Sequence, residues 1–439
     1  MWISDILEIA QKRLWLSLTS AKLLLITTVM LLLLVGGGIT AHRHYLEQQE
    51  LYKAAKLAHS FALDDARYYK AVRLGFERPP EPLSMLAQGS SERYGSSVIL
   101  SGKFAPMEVR ARERLDAVGG WGEALDFSHL IGLFISLLAL LTSYDAICGE
   151  RQDGTLQLCL ANALPRYRLL AGEYLGCIMS LAIPLLLAVL TMIIMLRVVG
   201  GLDLTDEEML RILLIFVGAL LSTSALIWLG LCCSALARST TTAFIFAFSA
   251  WVVLAAVYPN LTLWGAQQMR PVPVTQETLS SDGIFSLALS ERRDAAQEAE
   301  RVLAQERELA LNTKLSQGEL NASAKFLSPV SSFSSLAQIL ARTEVTSQRD
   351  LIARGRQLNE EFRQWQEEKL RRYPERESFY EPAWGPLDVE GLPDPQYQPV
   401  SLADSLNRAI PYGGSLIMFN LAFSFFAFIL LTRYDVRFS

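Results

Sequence analysis

The longest apolar runs in this sequence lack charge. Stretches near residues 23 to 40, 128 to 144, 177 to 199, 212 to 235, 241 to 258 and 412 to 432 have no Asp, Glu, Lys or Arg near their centres. A charge at mid-bilayer costs about 2.5–3.5 kcal/mol on insertion scales, so a functional relay would stand out. Ion-coupled transport through buried charges is therefore disfavoured. Histidine is scarce as well, with four in the chain. His42 and His44 are two apart, which suits chelation on a strand but points them to opposite faces of a helix, so no metal site is expected. No Gly-x-Ser-x-Gly elbow occurs and no histidine lies near a plausible serine nucleophile, so no catalytic residues are expected. "GERQDGT" has the two glycines of a phosphate loop, but Thr155 stands where the motif needs lysine. Without that ammonium the chain is not expected to bind nucleotide. A formal charge of −5 with no basic cluster argues against nucleic acid as a partner. None of the five cysteines, Cys148, Cys159, Cys177, Cys232 and Cys233, falls in the two long polar stretches. No disulfide framework is expected there.

What the sequence does have is lipid-compatible length. Each of the six runs approaches the span of a hydrocarbon core roughly 30 Å thick. The second is the shortest, and tilt or partial burial would accommodate it. The expected fold is mainly α. It is a polytopic membrane protein with an interfacial helix at 1–22 and spans at 23–40, 128–144, 177–199, 212–235, 241–258 and 412–432. A cytoplasmic loop at 145–176, a short outer loop at 200–211 and a tail at 433–439 complete the membrane part. Two insertions, 41–127 and 259–411, are expected to build a largely helical extracytoplasmic domain with some β structure. Lys12, Arg13, Lys22, Arg151, Arg166, Arg168, Arg238, Arg433 and Arg437 all fall on one side of a six-span topology. Basic residues in short flanks are retained inside, whereas "GGLDLTDEEM" has four acids and no base, as an outer loop should. The expected location is a cytoplasmic (inner) membrane, with both termini cytoplasmic. A cleaved signal peptide is the rival reading of the first run, and the long basic leader argues against it. In that leader Ile3, Leu7, Ala10 and Leu14 recur at helical spacing, which predicts an amphipathic helix in the inner interface.

Within the insertions, "YGSSVILSGKFAP" predicts a strand bounded by glycine and proline. Leu351, Gly355, Leu358, Phe362 and Trp365 step by four, three, four and three along a charged helix. That stripe packs against its own domain or presents a partner-binding face. "YEPAWGPLDVEGLPDPQYQP", with five prolines, is either a linker or a strap laid over the domain. Pro184 in the third span marks a packing kink or a hinge.

Between the second and third spans lies a charged island, "SYDAICGERQDGTLQLCLANALPRYRLLAGEYLG". Asp145 precedes Gly149, Glu150 and Arg151, then Gly154, Thr155 and Leu156, a short apolar helix containing Leu160, and finally Pro165 and Arg166. This pattern resembles the permease subunit of a type-2 ATP-binding-cassette transporter, in the subgroup with large extracytoplasmic domains. The resemblance implies that the island is a coupling helix seated in a cleft of a separate ATPase, with those ten residues docking it. It implies two ATPase copies that bind ATP and Mg, no cofactor in this chain, and a non-catalytic membrane subunit. A second permease subunit is implied too, either a homodimer partner or a paralogue. The expected function is ATP-driven export. The alternatives are a force-transmitting subunit acting on a periplasmic partner through 41–127 and 259–411, and a membrane-anchored sensor or scaffold. One departure is Glu173, where the family often has lysine after Gly172, so a charge contact with the ATPase would differ. Read by residues alone, a short helix held by Gly149 and Gly154 offers Leu156, Leu158, Leu160 and Leu164 to a cleft, the rival being an ordinary surface loop.

Overall fold

The computed structural model describes residues 2–89, 96–102, 107–110, 127–156, 165–201, 203–272, 293–378, 381 and 385–433. In chain order the helices are α1 (Trp2–Leu18), α2 (Ala21–Asp65), α3 (Phe127–Ser143), α4 (Cys148–Gln152), α5 (Arg166–Ile194) and α6 (Asp206–Leu236). They are followed by α7 (Thr240–Trp251), α8 (Tyr258–Met269), α9 (Arg293–Ala324), α10 (Pro329–Leu340), α11 (Val345–Arg372) and α12 (Leu402–Thr432). Among the described residues, six helices are long and apolar enough to cross a membrane: α2, α3 running on into α4, α5, α6, α7 continuing into α8, and α12. The expected mainly α, six-span fold is what the chain adopts.

Local chemistry starts several of these helices. Ser20, Thr205, Ser239, Ser328 and Ser401 each cap a helix N-terminus by accepting a backbone N–H. Thr205 does so as part of a capping box with Glu208. α3 and α6 lie at the centre, where Ile135, Leu138, Leu226 and Leu231 join one large apolar core with Leu181 and Leu185 of α5 and Leu416 of α12. Pro184 is buried within an uninterrupted α5. π-helical turns end α5 at Met195–Val199 and join α7 to α8 at Val252–Val257.

Two features depart from the expected boundaries. α2 does not stop at residue 40. Its 45 residues continue unbroken to Asp65, about 68 Å at 1.5 Å per residue, roughly twice a hydrocarbon core. The second departure is α10, within the segment assigned to the second insertion. It is buried between α3, α6 and α12, and its residues belong to the same core as theirs. Twelve residues are too few to span. A serine-rich "PVSSFSSLAQIL" also gives no hydropathy signal of span length.

Described parts of both insertions, residues 66–109 and 351–397, share a second core. Strands β1 (Leu74–Glu77), β2 (Ser97–Leu100) and β3 (Glu108–Arg110) make an antiparallel sheet in the order 1-2-3, with Leu74 opposite Leu100 and Val98 opposite Val109. The expected strand is β2. Its Val98 and Leu100 pack with Phe76, Leu351, Leu358, Phe362 and Trp365 in a second core, so the α11 stripe covers the sheet of its own chain. Gly355 permits this approach, since a Cβ there would stand 3.1 Å from Val98 Cγ1. The proline-rich segment is a strap: Trp365 Nε1 donates to the Glu390 carbonyl at 3.0 Å, and Tyr397 packs on Phe76. Lys369 Nζ lies 2.7 Å from Asp388, and that hydrogen bond holds the Asp388 carboxyl below its ordinary value.

Phe362 is fully buried at the meeting of sheet, stripe and strap. Phe362→Ala is expected to destabilise this unit by about 3–5 kcal/mol through lost burial and a residual cavity. Limited proteolysis in detergent should then cut the insertions while the spans stay intact.

Candidate functional site

The charged island folds back onto the ends of the spans. α4 is a single turn with no side-chain cap of its own, and its first N–H groups are satisfied from α6: the Ile147 and Cys148 amides donate to Ser234 Oγ at 2.9 and 3.0 Å. Arg151 donates to the carbonyls of Ala237 at 3.0 Å and Ala235 at 3.5 Å, and so caps the C-terminus of α6. Arg166 donates in the same way to Leu431 at 3.1 Å and to Thr432, at the end of α12. Cations belong at helix C-termini, where unpaired carbonyls concentrate negative charge. Just past α4, Gly154 has φ +73° with open space around it, a conformation that disfavours any residue with a Cβ.

α1 completes the site. It crosses α5 at Gly172 and Gly176, four residues apart, where added Cβ atoms would stand 2.7 Å from Ile9 Cβ and 2.5 Å from Arg13 Cβ. Small residues at this spacing let two helix backbones approach closely. The close approach brings the Arg13 guanidinium inside. It donates to the Thr142 carbonyl, lies 2.5 Å from Asp145 Oδ1 and pairs with Glu173 at 3.5 Å. Burial alone would lower the Arg13 pKa, but the neighbouring Cys177, Asp145 and Glu173 outweigh it, and the net shift is upward. Around this node Lys12 pairs with Glu150 at 2.6 Å and Arg168 with Asp5 at 2.8 Å. The Thr155 hydroxyl donates to the Glu150 carboxylate. The site is thus a plate of charged side chains joining α1 and α4 to the ends of α3, α5, α6 and α12.

The family profile described as "ABC-2 family transporter protein" matches residues 7–428, nearly the whole chain. The chain belongs to the ABC-2 transporter family. No curated protein matches it. With six long apolar helices, this ABC-2 protein is a multi-pass membrane protein of the permease type, a family that works with ABC ATPases.

Within the ABC-2 protein, Asp145, Glu150, Arg151 and Thr155 lie around α4, while Arg166, preceded by Pro165 at the start of α5, reaches the end of α12. Gly149 sits beside Asp145 and Thr240, in ordinary contact. Leu156 is not where the sequence suggested. Its side chain is 1% exposed and belongs to the main core, so it anchors the island to the spans instead of offering itself to a cleft. The reason is that the turn at Gly154 rotates the next apolar residue inward. Leu158, Leu160 and Leu164 lie outside the described residues. Among the described residues of the island, Gln152, Asp153 and Gly154 are exposed beside α4, as is Tyr167 at the start of α5. Glu173 also changes meaning, because it is buried against Arg13 and does not face outward. In the leader, Ala10 of the expected stripe is buried but Leu7 is exposed, and Arg13 and Ser17 share the packed face.

Lys12, Arg13, Glu173 and Ser234 were missed as parts of the site. The Gly172 and Gly176 spacing was the available signal for the α1 crossing. Nothing local announces that Arg13 meets Asp145, since the two are 132 residues apart.

Arg13→Gln leaves Glu173 buried without its cation, a defect on the order of 3–5 kcal/mol. The expected result is a lower thermal unfolding midpoint in detergent and faster tryptic cleavage of the leader. Arg13→Gln together with Glu173→Gln is expected to recover part of that loss.

Proposed function

We propose that this chain is the permease subunit of an ATP-driven exporter, working as a dimer with two ABC ATPase subunits that carry the ATP and Mg. Residues 149–156 with Pro165 and Arg166 are its coupling segment. It sits in a cytoplasmic (inner) membrane, with the island and both termini in the cytoplasm. The observation that carries this reading is the exposed tip Gln152–Gly154 on a segment tied to four spans: to α3 and α5 through Arg13, which joins Asp145 to the Thr142 carbonyl and Glu173, to α6 through Ser234 and Arg151, and to α12 through Arg166. A push on that tip by an ATPase would be passed to α3, α5, α6 and α12 through these ties. The segment has no lysine where a phosphate loop needs one, so the energy comes from the partner.

A second reading keeps the machine but moves no solute, and uses the insertions to pass force to a periplasmic partner. It draws support from the joint core of the two insertions and from its attachment to α2, α10 and α12.

Purified alone, the chain is expected to show no ATP hydrolysis, and hydrolysis should appear only with the copurifying ATPase. Because Leu156 is internal, a charge there tests folding; the docking test belongs at the tip. Asp153→Arg and Gly154→Val are expected to leave membrane abundance unchanged and to reduce copurifying ATPase. Full retention of the ATPase in both variants would remove the coupling role. Cys148 is buried, so orientation is read from Asp153→Cys in a Cys159→Ser background. An impermeant thiol reagent should label it in inside-out vesicles and not in intact cells.

A further inference from the structure

The short helix α10 joins the span bundle to the spine of the outer unit, and the joint is unusually constrained. At its N-terminal end Ser222 Oγ, midway along α6, donates to the Pro329 carbonyl at 3.1 Å. The Ser332 and Ser415 hydroxyls are 3.2 Å apart, linking α10 to α12. Leu336 fills a notch at Gly218, where an added Cβ would stand 2.8 Å from Leu336 Cδ2. α10 therefore cannot stay behind when α3, α6 or α12 moves, because closely packed elements shift as units.

At its other end Leu340 leads into Arg342, a residue with a side chain at φ +60°. Such a conformation persists only where its surroundings over-determine it. Here they do. Arg211, fully buried in α6, donates to the carbonyls of Leu340 at 2.9 Å and Val400 at 3.2 Å and to Ser405 Oγ at 3.0 Å. Arg342 donates to the Val400 carbonyl at 2.9 Å and pairs with Glu207 at 2.7 Å and Glu81 at 3.4 Å, while its own carbonyl accepts from Arg78. Thr343 Oγ1 donates to the Ala87 carbonyl at 2.7 Å. α11 begins three residues after Arg342, and Arg408 of α12 pairs with its Asp350 at 2.6 Å.

We propose that residues 341–344 form a locked elbow that makes α10 and α11 one lever, converting displacement of α10 among the spans into rotation of the α11 and sheet unit. The lever is a mechanical property of this chain. That the displacement is driven by ATP rests on the function proposed above. α10 supplies the short arm, held on three sides by spans. The long arm is α11, whose stripe holds the sheet. The buried arginines on both sides of the elbow prevent it from flexing.

The test displaces the short arm without an ATPase. Spin labels are placed on the isolated full-length chain at two exposed positions, Asp206 at the start of α6 and Gln364 on α11. Gly218→Leu wedges against Leu336, and Gly218→Ala is the milder wedge should the larger one fail to fold. The expected result is a shifted label-to-label distance in the wedge variant. That shift should be lost when Arg342→Gly is added, because glycine accepts the backbone conformation but removes the side-chain ties. An unshifted distance in a folded wedge variant overturns the lever, as does an equal shift with and without Arg342→Gly. A second arm uses the complex with its copurifying ATPase, comparing nucleotide-free and vanadate-trapped states. Failure to copurify or hydrolyse ATP counts against the proposed function, whereas hydrolysis without a distance shift counts against the lever.

Discussion

A helix that ends near lipid leaves carbonyls that water cannot readily satisfy, and this protein answers with arginine. Arg13 reaches the Thr142 carbonyl near the end of α3, Arg151 those of Ala235 and Ala237 at α6, and Arg166 those of Leu431 and Thr432 at α12. Arg211 does the same for Leu340 at the end of α10. Each fork has more donors than one carbonyl can use: Arg151 and Arg166 take a second carbonyl of the same helix end, while Arg13 and Arg211 reach carboxylates, a hydroxyl or a carbonyl of further elements. Capping and cross-linking of the bundle are therefore one interaction. The centres of the spans can then be almost free of charge.

The consequence is a molecule organised at its two ends. Between them the helices meet through apolar side chains, glycine notches and neutral hydroxyls, such as Ser222 donating to the Pro329 carbonyl and Thr223 to the Ala219 carbonyl of its own helix. Contacts of that kind let helices shift without leaving a charge unpaired. At the ends, a displaced arginine would strand a buried carboxylate, which is far more costly. Charged ties at the ends and neutral contacts between them divide the polar work of the bundle. Family membership in the ABC-2 transporters fits such a bundle.

The island shows how an apolar residue in a motif can be read the wrong way round. Leu156 follows a glycine turn and looks like bait for a cleft, yet it is the peg that holds the turn to the core. Glu173 looks like a lost contact with a partner, yet it is the counter-ion of Arg13. Both errors come from the same physical source. A sequence displays the chemistry of a side chain but not the direction in which a neighbouring turn aims it.

By itself the sequence determined the six spans, because hydrocarbon thickness demands runs of about twenty apolar residues that no other structure needs. It also determined the stripe on α11, since the period of a helix is local. One missing lysine removes the phosphate-loop pattern from the sequence, a reading that needs no coordinates. Only the tertiary structure decided that α10 lies among the spans, because a twelve-residue serine-rich helix carries no length signal and is held there by Arg211 and Ser222 from a distant segment. It decided the face of α1 as well: hydrophobic spacing pointed to Leu7 and Leu14, while the notch at Gly172 and Gly176 turned Arg13 inward. Periodicity and composition act within a few turns of chain, whereas the partners of a buried arginine are chosen by whichever helix ends the fold brings within its reach.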